Sequence, residues 1–325
     1  MSAVRRARPS ASLVARIVAS QPLRFDLPNH PPVRAASGLR RFGDALVIVQ
    51  DDAHALARLV DGLVSPVAFG TGAPLDVVPK PVKPDLEACV VIGDGEDARF
   101  VAFGSGSTSA RERAVVLDRR GGVRIRDGAA LYATLRERTD FSGSELNVEG
   151  AIVVGDDVLL LQRGNGAPRG ALQPIDATLA VSTRELLAWL DGGALPTLGA
   201  AHTYELGVER NVRFGFTDAT SWPTSFDPSH PSFVYVACAE DSPDTYADGV
   251  TVGARLGLVR GDAVVDTPIL DAGGHPTTAK IEGLELLHTE EDAWTFAAVT
   301  DPDDATLAAT YLELVVTGVT HAFDR

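Results

Sequence analysis

The sequence has few of the features that mark secreted and membrane proteins. Its only two cysteines, Cys89 and Cys238, stand far apart in apolar runs, which favours buried reduced thiols over a disulfide and predicts a cytoplasmic location. No stretch approaches the roughly 18 uncharged apolar residues of a membrane span. Arg16 interrupts the apolar N-terminal segment before it reaches the length of a secretory signal core. We therefore expect a soluble protein.

Positive charge is also scarce. Lys and Arg number 29 against 44 Asp and Glu, and 29 − 44 gives a formal net charge of −15. Such an excess repels phosphate backbones and anionic lipid, and the one basic stretch, Arg5, Arg6 and Arg8, is short. We expect a small-molecule ligand as the partner, with neither nucleic acid nor a membrane, and the oligomeric state stays open.

Several catalytic motifs are missing. The chain contains no G-x-S-x-G, no H-E-x-x-H and no C-x-x-C. The seven histidines are scattered, so a Ser-His-Asp assignment would be arbitrary. His275 has the best position, five residues before Lys280 in a Gly-Gly-His-Pro loop, although a plain loop histidine is the simpler interpretation.

Short apolar runs separated by turn residues recur along most of the chain. Residues 155–157 and 261–262 are Gly-Asp turns between such runs and are short enough to reverse antiparallel strands. Residues 182–193 have a helical pattern, and residues 127–138 fit either a short helix or extended segments. With 31 glycines, 20 prolines and no helix repeating between strands, the sequence predicts an all-β protein.

Two segments share one order of features. Residues 147–164 (NVEGAIVVGDDVLLLQRG) and 280–301 (KIEGLELLHTEEDAWTFAAVTD) run from a polar residue through Glu-Gly and an apolar strand to an acidic turn and a second strand, and residues 36–52 form a weaker copy. Spacings of roughly 110 and 133 residues fit two or three propeller blades of about 40–50 residues. A six-bladed β-propeller is predicted, as a single domain over 11–325 after a disordered tail over 1–10.

Ring closure gives an independent reason for this fold. A propeller leaves an open sheet edge unless its first and last blades are joined, and open edges invite aggregation. The strand-like segments SLVARIVAS, over 12–20, and YLELVVTG, over 311–318, stand at the two ends of the pattern. We predict that these N- and C-terminal strands pair and close the propeller.

The innermost strand of each blade begins near the axis, so residues around the Glu-Gly motifs should converge on the central channel. Grouped carboxylates and an ammonium shift one another's pKa values, which makes Glu149, Glu282 and Lys280 the candidate catalytic residues. Hard oxygens suit Ca²⁺, which makes Asn147, Glu149 and Glu282 the candidate metal ligands. The alternative is that each glutamate only accepts backbone N–H bonds where its strand begins.

Strand ends supply candidate substrate-binding residues. An arginine there can hold an anionic group bidentately, and the run GSGSTSAR (104–111) combines hydroxyls with glycines that let backbone N–H groups approach a ligand. The alternatives are an exposed loop arginine and a connecting loop. The assigned residues are Arg163, Ser105, Ser107, Arg111 and Glu240.

Two acidic connections contain enough oxygens for a divalent cation but lack EF-hand spacing, and solvated loops are the alternative. Their members are Glu240, Asp241, Asp244, Tyr246 and Asp248 in the first, and Asp301, Asp303 and Asp304 in the second.

Five segments together resemble an uncharacterised family of propeller-like proteins, over roughly residues 36–316. They are SGLRRFGDALVIVQDD, FGSGSTSARERAVVLD, LNVEGAIVVGDDVLLLQRGN, FVYVACAEDSPDTYADG and KIEGLELL. The N-V-E-G and K-I-E-G pieces are also similar, less specifically, to esterase-like phytase domains and to calcium-dependent six-bladed propeller hydrolases. That resemblance implies a hydrolase with Ca²⁺ at the channel mouth, where Asn147, Glu149 and Glu282 match the ligand types.

Two functions from different classes remain. One is hydrolysis of a small-molecule ester or phosphoester, with Ca²⁺ or Lys280 and Arg163 polarising the developing oxyanion and Glu149 or Glu282 as base. The other is a non-catalytic module that binds a small anionic ligand or a protein partner. Fold alone does not decide between them, because propellers host unrelated activities.

Overall fold

The structure is a computed structural model that describes residues 3–222, 232–242, 244–245 and 249–324. These residues form mostly β-strands. The strands are β1 (Arg5–Pro9), β2 (Val14–Pro22), β3 (Ala36–Phe42), β4 (Ala45–Gln50), β5 (Ala55–Val60), β6 (Leu63–Ala68), β7 (Leu86–Ile92), β8 (Arg99–Gly104), β9 (Arg113–Asp118), β10 (Val123–Asp127), β11 (Val148–Val154), β12 (Asp157–Gln162), β13 (Asp176–Ser182), β14 (Leu198–Glu205), β15 (Val208–Glu209), β16 (Val212–Ser221), β17 (Ser232–Asp241), β18 (Val250–Arg260), β19 (Ala263–Leu270), β20 (Ile281–Thr289), β21 (Ala293–Thr300) and β22 (Thr310–Thr317).

The helices are few and short. They are α1 (Ala129–Glu137), α2 (Thr139–Ser142) and α3 (Thr183–Leu190), with 3₁₀ turns at Gly95–Asp97 and Ser109–Arg111. The helix predicted within 182–193 is confirmed as α3, and the ambiguous segment 127–138 contains α1. Within the described ranges, no helix combines the length and the apolar character needed to cross a bilayer.

Twenty of the described strands pair as four-stranded antiparallel meanders. Meander 1 is β3–β6, meander 2 is β7–β10, meander 3 is β11–β14, meander 4 is β16–β19, and meander 5 is β20, β21, β22 and β2. The first strands β3, β7, β11, β16 and β20 contact one another in that order, and β20 also contacts β3. The described residues are therefore an all-β, propeller-like arrangement around one axis.

Apolar side chains fill the spaces between neighbouring meanders. One buried cluster lies between meanders 1 and 2, one between 2 and 3 with α1 and α3, and one between 3 and 4. Two more lie between meanders 4 and 5 and between 5 and 1. Because both faces of a meander are covered, its strands are nearly continuous apolar runs, as in the fully buried β4.

The predicted turns and the predicted closure are confirmed. Gly155 and Gly261 stand at the hairpin turns β11–β12 and β18–β19 with φ of 60° at each, a backbone conformation that glycine adopts without steric cost. Strand β2 pairs antiparallel with β22 over its whole length, from Val14 opposite Thr317 to Pro22 opposite Thr310. The N-terminal strand thus completes the last meander.

Two expectations differ from the structure. Six blades are not confirmed, because the described residues form five four-stranded meanders. The estimate of about 45 residues per blade does not allow for α1, α2, α3 and the loop over 69–85, which lengthen the chain between strands. The tail expected to be disordered over 1–10 contains strand β1, which pairs in parallel with β14 and with β19. The buried Arg5 anchors it by donating to the Tyr204 hydroxyl and to Asp262.

Candidate functional site

Each first strand contains a β-bulge, which lies at the second residue of β3, β7, β11 and β20 and in the middle of β16. The bulged residues are Ser37, Glu87, Glu149, Thr217 and Glu282. Ser37 and Thr217 donate their hydroxyls to nearby carbonyls, whereas the three glutamates line a common cavity. A bulge redirects a side chain that a regular pleat would place elsewhere. The bulges therefore bring carboxyl groups from three meanders to one end of the axis.

The glycine after two of these glutamates has a packing cause. A Cβ on Gly283 would lie 3.0 Å from the Cα of Gly38 on the neighbouring first strand, and one on Gly150 would lie 3.4 Å from the Cα of Asp218. At Gly283 the neighbouring strand is too close for a side chain, whereas at Gly150 an added Cβ would just reach van der Waals contact. The Glu-Gly pair thus combines a ligand-facing carboxyl with close strand packing.

The axial cavity has a volume of about 50 Å³ and is lined only by polar and charged residues. Since one water needs roughly 10–15 Å³, this space has room for a few water molecules. The lining residues are Asp51, Lys80, Lys83, Asp85, Glu87, Arg111, Asn147, Glu149, Arg163, Asn165, Glu240, Thr245, Lys280, Glu282, Asp301 and Asp303.

Arg163 lies at the centre of one ion-pair network in this cavity. Its Nη2 is 2.7 Å from Glu240 Oε2, and its Nη1 is 3.5 Å from Glu149 Oε1 and 3.6 Å from Glu282 Oε1. Lys280 Nζ lies 2.7 Å from Asp303, 3.3 Å from Glu282 and 3.7 Å from Glu240. The predicted convergence of residues 147–149 with 280–282 is therefore present, and it is mediated by two cations.

A second network holds the loop over 104–111 against the cavity. The Ser105 hydroxyl donates to Asp85, and Arg111 Nη1 lies 2.8 Å from Asp85 Oδ2 and 2.7 Å from Ser107 Oγ. Arg111 lines the cavity, whereas Ser105 and Ser107 contact its lining residues from behind. All the residues assigned from the sequence thus lie at or directly behind one cavity, and their chemical roles stay predictions.

The carboxyl groups of the first network have opposite pKa shifts. Burial raises the pKa of Glu282 well above its usual range, although Lys280 opposes the shift, and burial likewise raises the pKa of Glu149 against Arg163. Burial would also raise the pKa of Glu240, but Arg163 and Lys280 outweigh it and hold that pKa below its ordinary value. The two shifts favour a proton on Glu282 and a negative charge on Glu240.

The trio assigned to Ca²⁺ does not offer an open ligand set. Asn147 Nδ2 donates to Glu149 Oε1 at 2.6 Å, so the amide presents a donor to that carboxylate. Glu149 faces Arg163, and Glu282 faces both Arg163 and Lys280. A dication placed among these groups would be repelled by the ammonium and the guanidinium. Asn147, Glu149 and Glu282 therefore do not fit a calcium ion in this arrangement.

The remaining sequence candidates have mixed locations. Asp301 and Asp303 line the cavity, whereas Asp304 caps the surface turn at Thr306. His275 is 81% exposed beside Asp271 and is absent from the cavity. In the acidic stretch that begins at Glu240, Tyr246 and Asp248 lie outside the described residues.

Sequence reasoning missed one side of the cavity, which Asp51, Lys83, Asp85 and Glu87 form. Lys83 Nζ contacts Asp51 Oδ2 and lies 2.8 Å from Asp85 Oδ1. Backbone bonds from Asp85 N to Asp51 O and from Val148 N to Ser105 O join neighbouring meanders here. The sequence does contain one sign of this side of the cavity. In L-E-A (86–88) a glutamate is followed by a small residue, as in V-E-G (148–150) and I-E-G (281–283).

Two open clefts adjoin the cavity through shared lining residues. One, of about 230 Å³, includes Asp51, Lys83 and Asp303 and continues to Arg34 and Val77. The other, of about 210 Å³, includes Arg163 and Glu240. Both are smaller than typical ligand pockets, which measure about 300–1,000 Å³.

Raised carboxyl pKa values predict an unusual pH dependence of stability. Burial raises the pKa of Asp51 to about 7 and that of Asp303 to about 6, from a usual value of 3.8. Between pH 3.8 and these raised pKa values, the native state binds more protons than the unfolded chain. The free energy of unfolding therefore falls as pH rises through this range. We expect Tm to fall by a few degrees from about pH 5 to about pH 8. Asp51→Asn should flatten this slope, and a Tm that rises across the window would contradict the assignment.

Comparisons with known proteins give a family but no activity. No curated protein matches the chain. A protein of Bacteroides fragilis NCTC 9343 is 8% identical with a TM-score of 0.41, over 96% of this chain and 99% of that one. The N-terminal domain of Nup159 is 8% identical with a TM-score of 0.34 (98% and 100%), and apo AztD from Citrobacter koseri is 9% identical with a TM-score of 0.30 (87% and 75%). These scores carry no argument.

The family assignment rests on the sequence profile instead. The profile described as a family of unknown function (DUF6929) matches residues 32–316, which run from before β3 almost to the end of β22 and supply every residue that lines the axial cavity. The chain therefore belongs to the DUF6929 family.

Proposed function

We propose that the protein hydrolyses a small-molecule ester or phosphoester in the axial cavity, with Glu282 as general acid and Glu240 as general base. The observation that carries this proposal is the opposite pKa shift of two carboxyl groups that share Arg163 and Lys280. Carboxyls whose environments separate their pKa values are the usual acid and base of a hydrolytic site. The raised pKa makes Glu282 a proton donor, not the base expected from the sequence.

Arg163 and Lys280 have the electrostatic role in this proposal. Both are almost completely buried in the network, and each has a close carboxylate partner: Glu240 lies 2.7 Å from Arg163, and Asp303 lies 2.7 Å from Lys280. Fixed cations at the point where negative charge develops stabilise a transition state without reorganisation. The polar end of the substrate would occupy the cavity, and the rest would lie in one of the two adjoining clefts.

The test is a panel of esters, lactones and phosphoesters with wild type, Glu282→Gln and Glu240→Gln. Loss of a general acid or base costs typically 10²–10⁴-fold in rate, so kcat should fall by at least about 10²-fold in each variant. The matched control is Glu285→Gln, which makes the same change three residues along β20 but lines the cavity at the other end of the axis. Turnover that survives both cavity variants would remove these glutamates from the reaction.

A specific observation favours non-catalytic binding as a second candidate. Arg163 and Lys280 each contact three carboxyl groups, so neither offers a vacant cation to an anionic ligand. A binding module of this kind would select a positively charged ligand over the anionic one expected from the sequence. Thermal-shift screening with matched small amines and acids discriminates the two: stabilisation by amines without turnover of any substrate supports binding alone.

A further inference from the structure

Asn165 stands where the axial cavity meets the cleft of about 210 Å³. It lines both spaces, as do Arg163 and Glu240. Strand β12 ends at Gln162, so Asn165 follows the strand by three positions, and its side chain is half-buried. The amide of Asn165 and the proposed general base Glu240 therefore line the same opening.

The turn that contains Asn165 is held against the neighbouring strand. Gly164 N donates to Asp176 Oδ1 at 3.0 Å, and a Cβ on Gly164 would lie 2.6 Å from the carbonyl carbon of Ile175. The backbone approaches the start of β13 so closely that only glycine fits there. This contact fixes the position of the next residue, Asn165.

The orientation of the Asn165 amide is set by its neighbours. Glu149 Oε1 lies 2.6 Å from Asn147 Nδ2 and 3.5 Å from Arg163 Nη1, and accepts from both. Asn147 Nδ2 also donates to Asn165 Oδ1 at 3.1 Å. The oxygen of Asn165 thus faces Asn147, and its Nδ2 lies on the other side of the amide. In the part of the chain that the structure describes, this Nδ2 donates to no protein group.

The cations around Asn165 are committed to carboxyl groups. Arg163 and Lys280 each face three of them, and Lys83 and Arg111 also form ion pairs. These charges stabilise a developing anion through space. A direct hydrogen bond from any of them to a substrate oxygen would compete with an ion pair, whereas one from Asn165 Nδ2 would not.

The charge of the lining discriminates between substrate classes. Eight acidic residues line the axial cavity against five basic ones. A phosphoester brings its own negative charge into this surplus of carboxyl groups and is repelled. A carboxylic ester is neutral and develops negative charge on one oxygen only in the transition state, where a single fixed amide donor is effective.

We propose that Asn165 Nδ2 donates a hydrogen bond to the carbonyl oxygen of a carboxylic ester, and that the site prefers carboxylic esters to phosphoesters. This inference rests on the proposed function and narrows its substrate class. Asn165 is then a catalytic residue, because it contacts the oxygen on which charge develops.

The reaction has two steps. In the first, Glu240 takes a proton from water, the water oxygen bonds to the carbonyl carbon, and the π electrons move to the oxygen beside Asn165. In the second, the carbonyl double bond re-forms, the bond from carbon to the alcohol oxygen breaks, and Glu282 gives its proton to that oxygen. The products are a carboxylic acid and an alcohol, and one proton returns from Glu240 to Glu282 through solvent.

The experiment measures kcat and KM of wild type and Asn165→Ala with p-nitrophenyl acetate and γ-butyrolactone, and with p-nitrophenyl phosphate and bis(p-nitrophenyl) phosphate. Wild type should hydrolyse the carboxylic esters and not the phosphoesters. In Asn165→Ala, kcat should fall by about 10²-fold while KM changes little, because the lost hydrogen bond strengthens only in the transition state.

Asn165→Asp separates a donor role from a structural one. It keeps the size of the side chain and an oxygen for Asn147, but it places a second oxygen where Nδ2 stood. Its kcat at neutral pH should be no higher than that of Asn165→Ala, and it should recover in part in acid, because a protonated carboxyl group donates a hydrogen bond. A purely structural role predicts that Asn165→Asp keeps the wild-type kcat.

The matched control is Asn29→Gly, which removes an exposed amide at a turn with φ of 70° and should leave kcat unchanged. Circular dichroism verifies that each variant is folded. The inference alone is overturned if wild type hydrolyses only phosphoesters, or if kcat survives in Asn165→Ala but falls in Glu240→Gln. A wild type that hydrolyses neither class overturns the inference together with the proposed function.

Discussion

Replacing Arg40 with methionine should lower the free energy of unfolding by about 3–5 kcal/mol, because the buried carboxylate of Asp218 loses the guanidinium that pairs with it. Arg40 on β3 and Asp218 on β16 form a bidentate pair across the axis, with Nη–Oδ distances of 2.7 and 2.8 Å. Arg40 is 6% exposed and Asp218 is fully buried. Without the guanidinium, Asp218 must either keep an uncompensated charge or take up a proton.

Arg40 also connects strands from different meanders. Its guanidinium donates to the carbonyls of Leu284 on β20, Ala151 on β11 and Ala219 on β16. These three carbonyls accept hydrogen bonds from a buried guanidinium, and buried carbonyls without donors are costly. The loss should therefore exceed that of an ordinary ion pair.

Urea unfolding of a double-mutant cycle measures this effect. Arg40→Met/Asp218→Asn should be more stable than Arg40→Met, since the neutral amide removes the buried charge. Arg40→Lys should lie between wild type and Arg40→Met, because an ammonium keeps the charge but cannot form the bidentate pair. A cost below about 1 kcal/mol for Arg40→Met would show that the pair is not what holds the axis together.

Part of the cavity could be predicted from the sequence, because the carboxyl group that faces the cavity and the glycine that packs against the next strand are adjacent residues. Glu149-Gly150 and Glu282-Gly283 pair a carboxyl at the bulge with a glycine that packs against the neighbouring first strand, so the motif is visible without coordinates. Glu87 has the same structural position, but Ala88 follows it because the space there admits a Cβ. In the run LEACVV, Glu87 is therefore followed by no glycine, and the segment resembles an ordinary apolar strand.

The rest of the site depends on tertiary contacts that leave no local pattern. Asp51 and Asp85 stand at strand ends in different meanders and meet through the bond from Asp85 N to Asp51 O. Lys83 contacts both from the loop between β6 and β7, and the pattern of apolar residues in a loop does not predict where the loop runs. The six blades expected from the sequence are not confirmed for a similar reason, since inserted helices and loops lengthen the repeat without altering the strand pattern.

The prediction with the largest expected effect on the fold concerns the strand that closes the ring. Deleting residues 1–22 removes β2, so the described part of the chain keeps no partner for that edge of β22. The apolar side chains of Leu13 and Ala15, which are buried against meanders 4 and 5, would also be lost. We expect no folded monomer, because β22 would present an unpaired edge with exposed apolar side chains, an arrangement that promotes aggregation.

A shorter deletion and a peptide provide the controls. Deleting residues 1–9 removes only β1, which makes few pairs with β14 and β19, so this variant should fold with a lower Tm. A synthetic peptide of residues 10–24, added during refolding of the chain that lacks 1–22, should restore a cooperative thermal transition, because it supplies the missing strand in the antiparallel register that β22 requires. If the chain lacking residues 1–22 unfolds with the wild-type Tm and elutes as a monomer, the N-terminal strand is not what closes the ring.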